Sequence, residues 1–170
     1  MTNSGISPRS MPGMEGFNFT ATGLEHSEGG APDYSPGNHM AMSEKRHRKI
    51  MNSLQDLPPP EEHSVDGPLD VGVIAWGSTF GAALEAVQEA QRNGVKAGAL
   101  KIVSLYPYHA DAIRDFMGKC RHVMVPELNL EGQLANLIGH LHSEEVKRFN
   151  RVTGVPFAPG EILGKVEELL

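Results

Sequence analysis

The sequence predicts a three-layer α/β/α domain on a mostly parallel sheet, preceded by an extended N-terminal arm. Three observations carry that reading. From Val71 onward, short apolar runs alternate with amphipathic stretches, the signature of parallel β-α units. Turn residues separate them, as in "VGVIAWGSTFGAALEAVQEAQRNG". Before that point the chain has almost no hydrophobic period.

Residues 1–66 are expected to form the arm and a linker. They are rich in Gly, Pro, Ser, Asn and His. "EGGAPDYSPGNH" is turn chemistry throughout, and "DLPPPEE" reads as a stiff extended connection. One helix is expected here, capped by Ser35 with Pro36 in its first turn. His39, Met42, Arg46 and Lys49 are spaced three, four and three, so they share a face. That face is mostly polar, so a solvated basic helix is the expectation, ahead of a helix packed on a partner domain.

Residues 67–170 are expected to form the domain. Residues 71–75 suit a strand buried on both faces. Phe80, Ala83, Leu84, Val87 and Ala90 then line one helical face, and Gly94 stops that helix. "KAGALKIVSL" is the next strand, and "HADAIRDFMGK" the next helix, with Ala112, Ile113 and Phe116 inward. "RHVMVPE" is a third strand, followed by the helix "EGQLANLIGHLHS" burying Leu134, Leu137, Ile138 and Leu141. "RFNRVTG" is a weak fourth strand, and "PGEILGKVEELL" closes as a helix through Ile162, Leu163, Val166 and Leu169. Right-handed crossovers put helices on both faces of the sheet.

Bulk properties narrow the function. A net charge of −6 argues against broad nucleic-acid binding. The single cysteine, Cys120, excludes an intrachain disulfide, a cysteine-built zinc site and a cysteine-ligated iron–sulfur cluster. No apolar run reaches the ~20 residues a membrane helix needs. The N-terminus lacks the apolar core of a signal peptide. A cytoplasmic protein is the expectation.

The candidate chemistry is sparse. In "WGSTFG", Gly77, Ser78 and Thr79 could aim backbone N–H groups at an anion. The three-glycine dinucleotide fingerprint and the Lys-Ser/Thr pair of a phosphate loop are both missing. A helix capped by Ser78 and Thr79, with Gly81 permitting close approach to its strand, is the preferred reading. His140 and His142 point in different directions on a helix and make a poor metal pair. "LYPYH" reads as a rigid turn with aromatic packing rather than an acid–base site. Arg121 could lower the Cys120 pKa, but a lone cysteine is read as structural. Glu127 and Asn129 stand where ligands gather in open α/β sheets. They could serve an interface or fix the loop, and sequence physics leaves both open.

Four blocks are more specific. "TGLEHSEGGAPDYSPGNHMAMSEKRHRK", "AWGSTFGAALEA", "VPELNLEGQLANLI" and "VTGVPFAPGEI" together resemble the alpha subunit of 2-oxoacid:ferredoxin oxidoreductases, nearest the 2-oxoglutarate branch. The resemblance covers the C-terminal portion of that subunit only. It implies a transketolase C-terminal-like domain for residues 67–170. It also implies that "SPRSMPGMEGFNFTATGLEH" is the connection leaving a preceding pyrimidine-binding domain, which this sequence does not contain. A fragment, a truncated product or a split subunit is the corresponding expectation.

The resemblance further implies a parent complex that oxidatively decarboxylates a 2-oxoacid to an acyl-CoA, with electrons passing to ferredoxin. Thiamine diphosphate, magnesium, an iron–sulfur cluster and CoA belong to that complex. None of them has a full site here, and no catalytic, cofactor or metal residue is assigned. The implied partners are the beta subunit and the pyrimidine-binding domain, with ferredoxin reached through the complex. His26, His39, Arg46, Lys49, Glu127 and Asn129 are the candidate interface residues. The rival readings are a free-standing interaction module and a small anion- or nucleotide-binding α/β protein.

Overall fold

The structure is a computed structural model that describes residues 2–170. It divides into two compact units, one ending at Asp56 and the other spanning Leu57–Leu170.

In the first unit, α1 (Pro36–Asn52) begins where the sequence placed it. Ser35 is extended, and its hydroxyl accepts the Asn38 N–H at 3.3 Å, with Pro36 opening the first turn. The Asp33 carboxylate accepts the Ser35 N–H at 2.9 Å. That bond holds its pKa below the usual value. Residues 25–33 fold into a small hairpin: His26 bridges Pro32, and Asp33 N–H donates to Glu25 O at 3.0 Å. The hairpin lies along the face of α1 bearing His39, Met42 and Arg46, and leaves the His39 and Arg46 side chains 70% and 51% exposed. Glu25 binds His39 and Arg46, and Met42 is buried. Only Met42 departs from the expected solvated face, and the hairpin carboxylate partners the exposed His39 and Arg46. Gly5, at φ +78°, lies so close to α1 that a Cβ would stand 2.6 Å from Lys45 O.

The second unit is a five-stranded sheet in the order β1-β3-β2-β4-β5. Its strands are β1 (Glu61–Ser64), β2 (Leu69–Trp76), β3 (Ala97–Ile102), β4 (Cys120–Glu127) and β5 (Lys147–Asn150). The helices are α2 (Thr79–Arg92), α3 (Ala110–Met117), α4 (Gln133–Ile138) and α5 (Pro159–Glu167), and a 3-10 turn over Gly139–Leu141 follows α4. β2, β3, β4 and β5 are parallel, while β1 pairs antiparallel with β3.

β1 corrects the boundary drawn at residue 66. Residues 61–64 belong to the sheet, with Glu61 opposite Lys101 and Ser64 opposite Gly98. An edge strand needs only backbone partners. Its charges, Glu61 to Lys101 and Glu62 to Lys119, both at 2.9 Å, suit an exposed edge.

Alternation along the strands makes two apolar layers. Val71, Val73 and Ala75 pack with α2 and α5, through Phe80, Val87, Ile162 and Val166. Ile74, Leu100, Val123 and Val125 pack with α3 and α4, through Ile113, Phe116, Leu134 and Ile138. Gly94, at φ +87°, ends α2 as expected. Two expectations fail here. Ala112 is exposed and Met117 takes its inward place. Gly81 is exposed and a Cβ on it would meet nothing within 4 Å. The close approaches are at Gly72 and Gly98. A Cβ on Gly72 would lie 2.9 Å from Phe116 Cε1, and one on Gly98 2.7 Å from Leu69 Cδ1.

Candidate functional site

The parallel order 3-2-4-5 reverses direction between β2 and β4, so a crevice is expected outside the carboxyl ends of those strands. Two of the candidate motifs meet there: the turn after Trp76, and the loop after Glu127.

The loop after β4 is built around a buried carboxylate. Glu127 is 1% exposed. Its Oε1 accepts the Leu134 N–H at 2.9 Å and Asn129 Nδ2 at 3.0 Å, and its Oε2 accepts the Ala135 N–H at 3.1 Å. Asn129 Oδ1 accepts the N–H groups of Gly132 at 2.7 Å and Gln133 at 3.2 Å. The first turn of α4 thus finds its acceptors in these two side chains, since a helix start leaves its N–H groups unpaired. The buried negative charge is offset by donors and by the positive end of the helix. Of the two readings left open for this pair, loop fixation is the one the geometry supports. For Glu127 it also corrects the interface assignment, because a fully buried carboxylate offers no surface to a partner.

At the turn after β2, Gly77 adopts φ +55°. Ser78 makes no side-chain capping bond, and Thr79 is buried as the first residue of α2. The expected cap is therefore absent. Ser78 is helical at φ −67° and ψ −21°, whereas a side-chain cap needs an extended residue. In "LYPYH", Ser104 Oγ donates to Pro107 O at 2.8 Å, so a side chain braces the turn.

The remaining sequence candidates lie apart from this edge in function. The Cys120 thiol donates to Phe116 O at 3.2 Å. Burial, reinforced by the charge of Glu62, pushes its pKa from 9.0 up to about 12. Arg121 does not activate it, and the thiol is structural. His140 is exposed, and His142 Nδ1 lies 3.2 Å from Glu144 O. Among the described residues, no three His, Cys, Asp or Glu side chains are placed to hold a metal ion.

In the arm, Glu25 is the centre of a small ion cluster. Arg46 Nη2 lies 2.6 Å from Glu25 Oε1, and His39 Nδ1 lies 3.0 Å from Oε2. These bonds, Arg46 first, hold the Glu25 pKa near 2 instead of 4.5. Lys45 pairs with Glu28 at 3.1 Å. His26 Nδ1 lies 3.0 Å from Leu24 O within the hairpin. Lys49 stands where Gly5 crosses α1. Of the candidate interface residues in the arm, His39 and Arg46 are thus tied to the arm's own carboxylate. Sequence spacing put them on one face, but it could not name Glu25, which is 14 and 21 residues away.

The pyruvate:ferredoxin oxidoreductase core domain II profile matches residues 70–162. The chain belongs to the alpha subunits of the 2-oxoacid:ferredoxin oxidoreductase family. Among curated relatives, 2-oxoacid:ferredoxin oxidoreductase 2 subunit alpha of Aeropyrum pernix is 30% identical over the whole chain, which spans 27% of that protein. The 2-oxoglutarate oxidoreductase subunit KorA of Mycobacterium tuberculosis is 33% identical over 89% of the chain and 23% of its own length. The chain therefore spans about a quarter of the length of these relatives. A solved 2-oxoglutarate:ferredoxin oxidoreductase from Magnetococcus marinus, with 2-oxoglutarate, coenzyme A and succinyl-CoA bound, superposes with a TM-score of 0.91. It is 40% identical, over 99% of this chain and 29% of that one. A split-gene transketolase at 20% identity and a TM-score of 0.53, over 65% of this chain and 41% of that one, shares the fold. The family resemblance and the mostly parallel α/β architecture read from the sequence both stand. No described helix is long and apolar enough to cross a membrane.

Proposed function

We propose that this chain supplies the transketolase C-terminal-like part of the alpha subunit of a 2-oxoglutarate:ferredoxin oxidoreductase, and that it works there as scaffold and interface. The observation that carries this reading is the 40% identity to the Magnetococcus marinus enzyme, sustained over 99% of the chain. In the parent complex a 2-oxoacid would be oxidatively decarboxylated to its acyl-CoA, and the electrons would leave to ferredoxin.

The side chains present support a structural part in that chemistry. A cysteine-ligated cluster needs several thiolates, and the one cysteine is buried with its thiol held protonated. The best-organised carboxylate, Glu127, spends its oxygens on α4 and Asn129. Thiamine diphosphate, when bound elsewhere in the complex, would supply carbanion stabilisation. The residues of this chain hold the domain that abuts that site, through the beta subunit and the pyrimidine-binding part of the alpha subunit. The arm that ends at Asp56 is read as the remnant of the connection from that pyrimidine-binding part, and as mobile without it. A cytoplasmic location accompanies the reading.

The test is reconstitution. The chain alone, given 2-oxoglutarate, CoA, thiamine diphosphate, magnesium and an electron-accepting dye, is expected to give no turnover. Turnover is expected when the remainder of the alpha subunit and the beta subunit are added. Activity of the purified chain alone would overturn the reading, as would failure of the chain to associate with either component.

A further inference from the structure

β2, β3, β4 and β5 run in one direction, so the loops that follow them gather on one edge of the sheet. These are residues 77–78, 103–109, 128–132 and 151–158. Among the described residues of the α/β unit, eight large apolar side chains are exposed. Six of them stand on this edge: Trp76, Val103, Tyr106, Leu130, Val152 and Val155. Of the other two, Leu170 is terminal, and Val65 follows the antiparallel β1 and so stands at the opposite edge. Exposed apolar residues scattered singly need no explanation, but a cluster on one edge marks a contact surface.

The same loops are nearly free of charge. They hold Glu131 and Arg151. Arg151 is committed inward: it pairs with Glu161 and donates to the carbonyls of Val155 at 3.2 Å and Pro156 at 2.7 Å. Charge depletion with Trp and Tyr present is the composition of an interface core. The edge is also pre-organised. Leu130 is 80% exposed, yet its carbonyl accepts Asn150 Nδ2 at 3.1 Å, and its loop is pinned by Glu127 and Asn129. A loop whose backbone is already fixed loses little freedom on docking.

We infer that the carboxyl edge of the sheet docks the remainder of the parent alpha subunit through an apolar, weakly charged surface of that polypeptide. This rests on the functional reading above. The occupant is chosen on two grounds. The Aeropyrum pernix and Mycobacterium tuberculosis relatives named above carry 73% and 77% of their length outside the region this chain matches, since the match spans 27% of one and 23% of the other. The edge also gives no basic footing to an acidic protein or a polyanion.

The full chain is titrated by calorimetry into the separately expressed remainder of the alpha subunit, and then into the beta subunit. Leu130→Lys and Tyr106→Lys are each expected to weaken binding to the former roughly tenfold or more. Val65→Lys, on the opposite edge, should leave it within about threefold. All three positions are exposed, and circular dichroism melts matching the wild type confirm that the variants are folded. If an edge variant does not fold, Val152→Lys takes its place. Edge variants that bind like the wild type overturn the docking assignment and leave the functional reading standing. Binding to the beta subunit alone, or a wild-type dimer that the edge variants dissociate, also overturns it, because the occupant is then different. A wild-type chain that binds neither component removes the functional reading and this inference with it.

Discussion

In the arm, Met42 is the one buried apolar side chain among the described residues, and the hairpin is fastened to α1 by polar contacts: Glu25 to Arg46 and to the His39 ring, Glu28 to Lys45. In the α/β unit two continuous apolar layers cover the sheet, and its ion pairs lie at the margins. Exposed ion pairs are screened by salt and contribute little each. A layered core is lost only as a whole. The arm is therefore expected to open locally while the α/β unit unfolds cooperatively.

The sharpest way to break this contrast is in the core. Phe116 fills the space above Gly72 and Gly98 and is fully buried. Phe116→Ala should cost about 3–5 kcal/mol, read as the urea midpoint of the α/β unit. A midpoint change under about 1 kcal/mol would mean that this layer does not carry the unit. Glu127→Ala comes next. It would leave the buried N–H groups of Leu134 and Ala135 without their acceptor, at about 2–4 kcal/mol in the same melt. A neutral result would show that the loop finds other acceptors.

Gly72→Ala should cost about 1–3 kcal/mol, because its Cβ would press on Phe116 and on Cys120 Sγ. Gly81→Ala should act in the opposite direction and stabilise by about 0.5–1 kcal/mol, since the site is open and helical. Opposite signs for two glycines of one β-α unit would place the tight packing at the strand. Equal signs would contradict it.

The smallest effect on global stability is expected in the arm. The Glu25 pKa is lowered to about 2 in the folded arm from 4.5. Its contribution is therefore complete above pH 4.5 and is lost as pH falls from there towards 2. Protection of the residue 25–33 amides, relative to the intrinsic exchange rate at each pH, should fall over that window while the strands of the sheet stay protected. Arg46→Ala should produce the same loss of protection at neutral pH. If the sheet loses protection in step with the hairpin, the two regions are not independent.

Elements whose side chains repeat are legible without the fold. The strand at 71–75, the face of Phe80, Ala83, Val87 and Ala90, and the closing helix through Ile162 and Val166 all follow from period and burial. Local chemistry did the same for α1, where Ser35 and Pro36 mark its start. The family blocks fixed the kinship. Other features depend on partners distant in the chain. β1 is charged and follows three prolines, and it becomes a strand because β3 offers a free backbone edge. Glycine spacing pointed to Gly81, but the tight contacts are at Gly72 and Gly98, where the Phe116 ring arrives from another element. Glu127 reads as a surface carboxylate until α4 folds back and presents its N–H groups. Leu130 is indistinguishable in sequence from the buried Leu134, and only the direction of four parallel strands gathers it with Trp76 and Tyr106 on one exposed edge. Period and capping are local properties of a chain, whereas close packing, buried-charge satisfaction and shared edges exist only between segments that folding brings together.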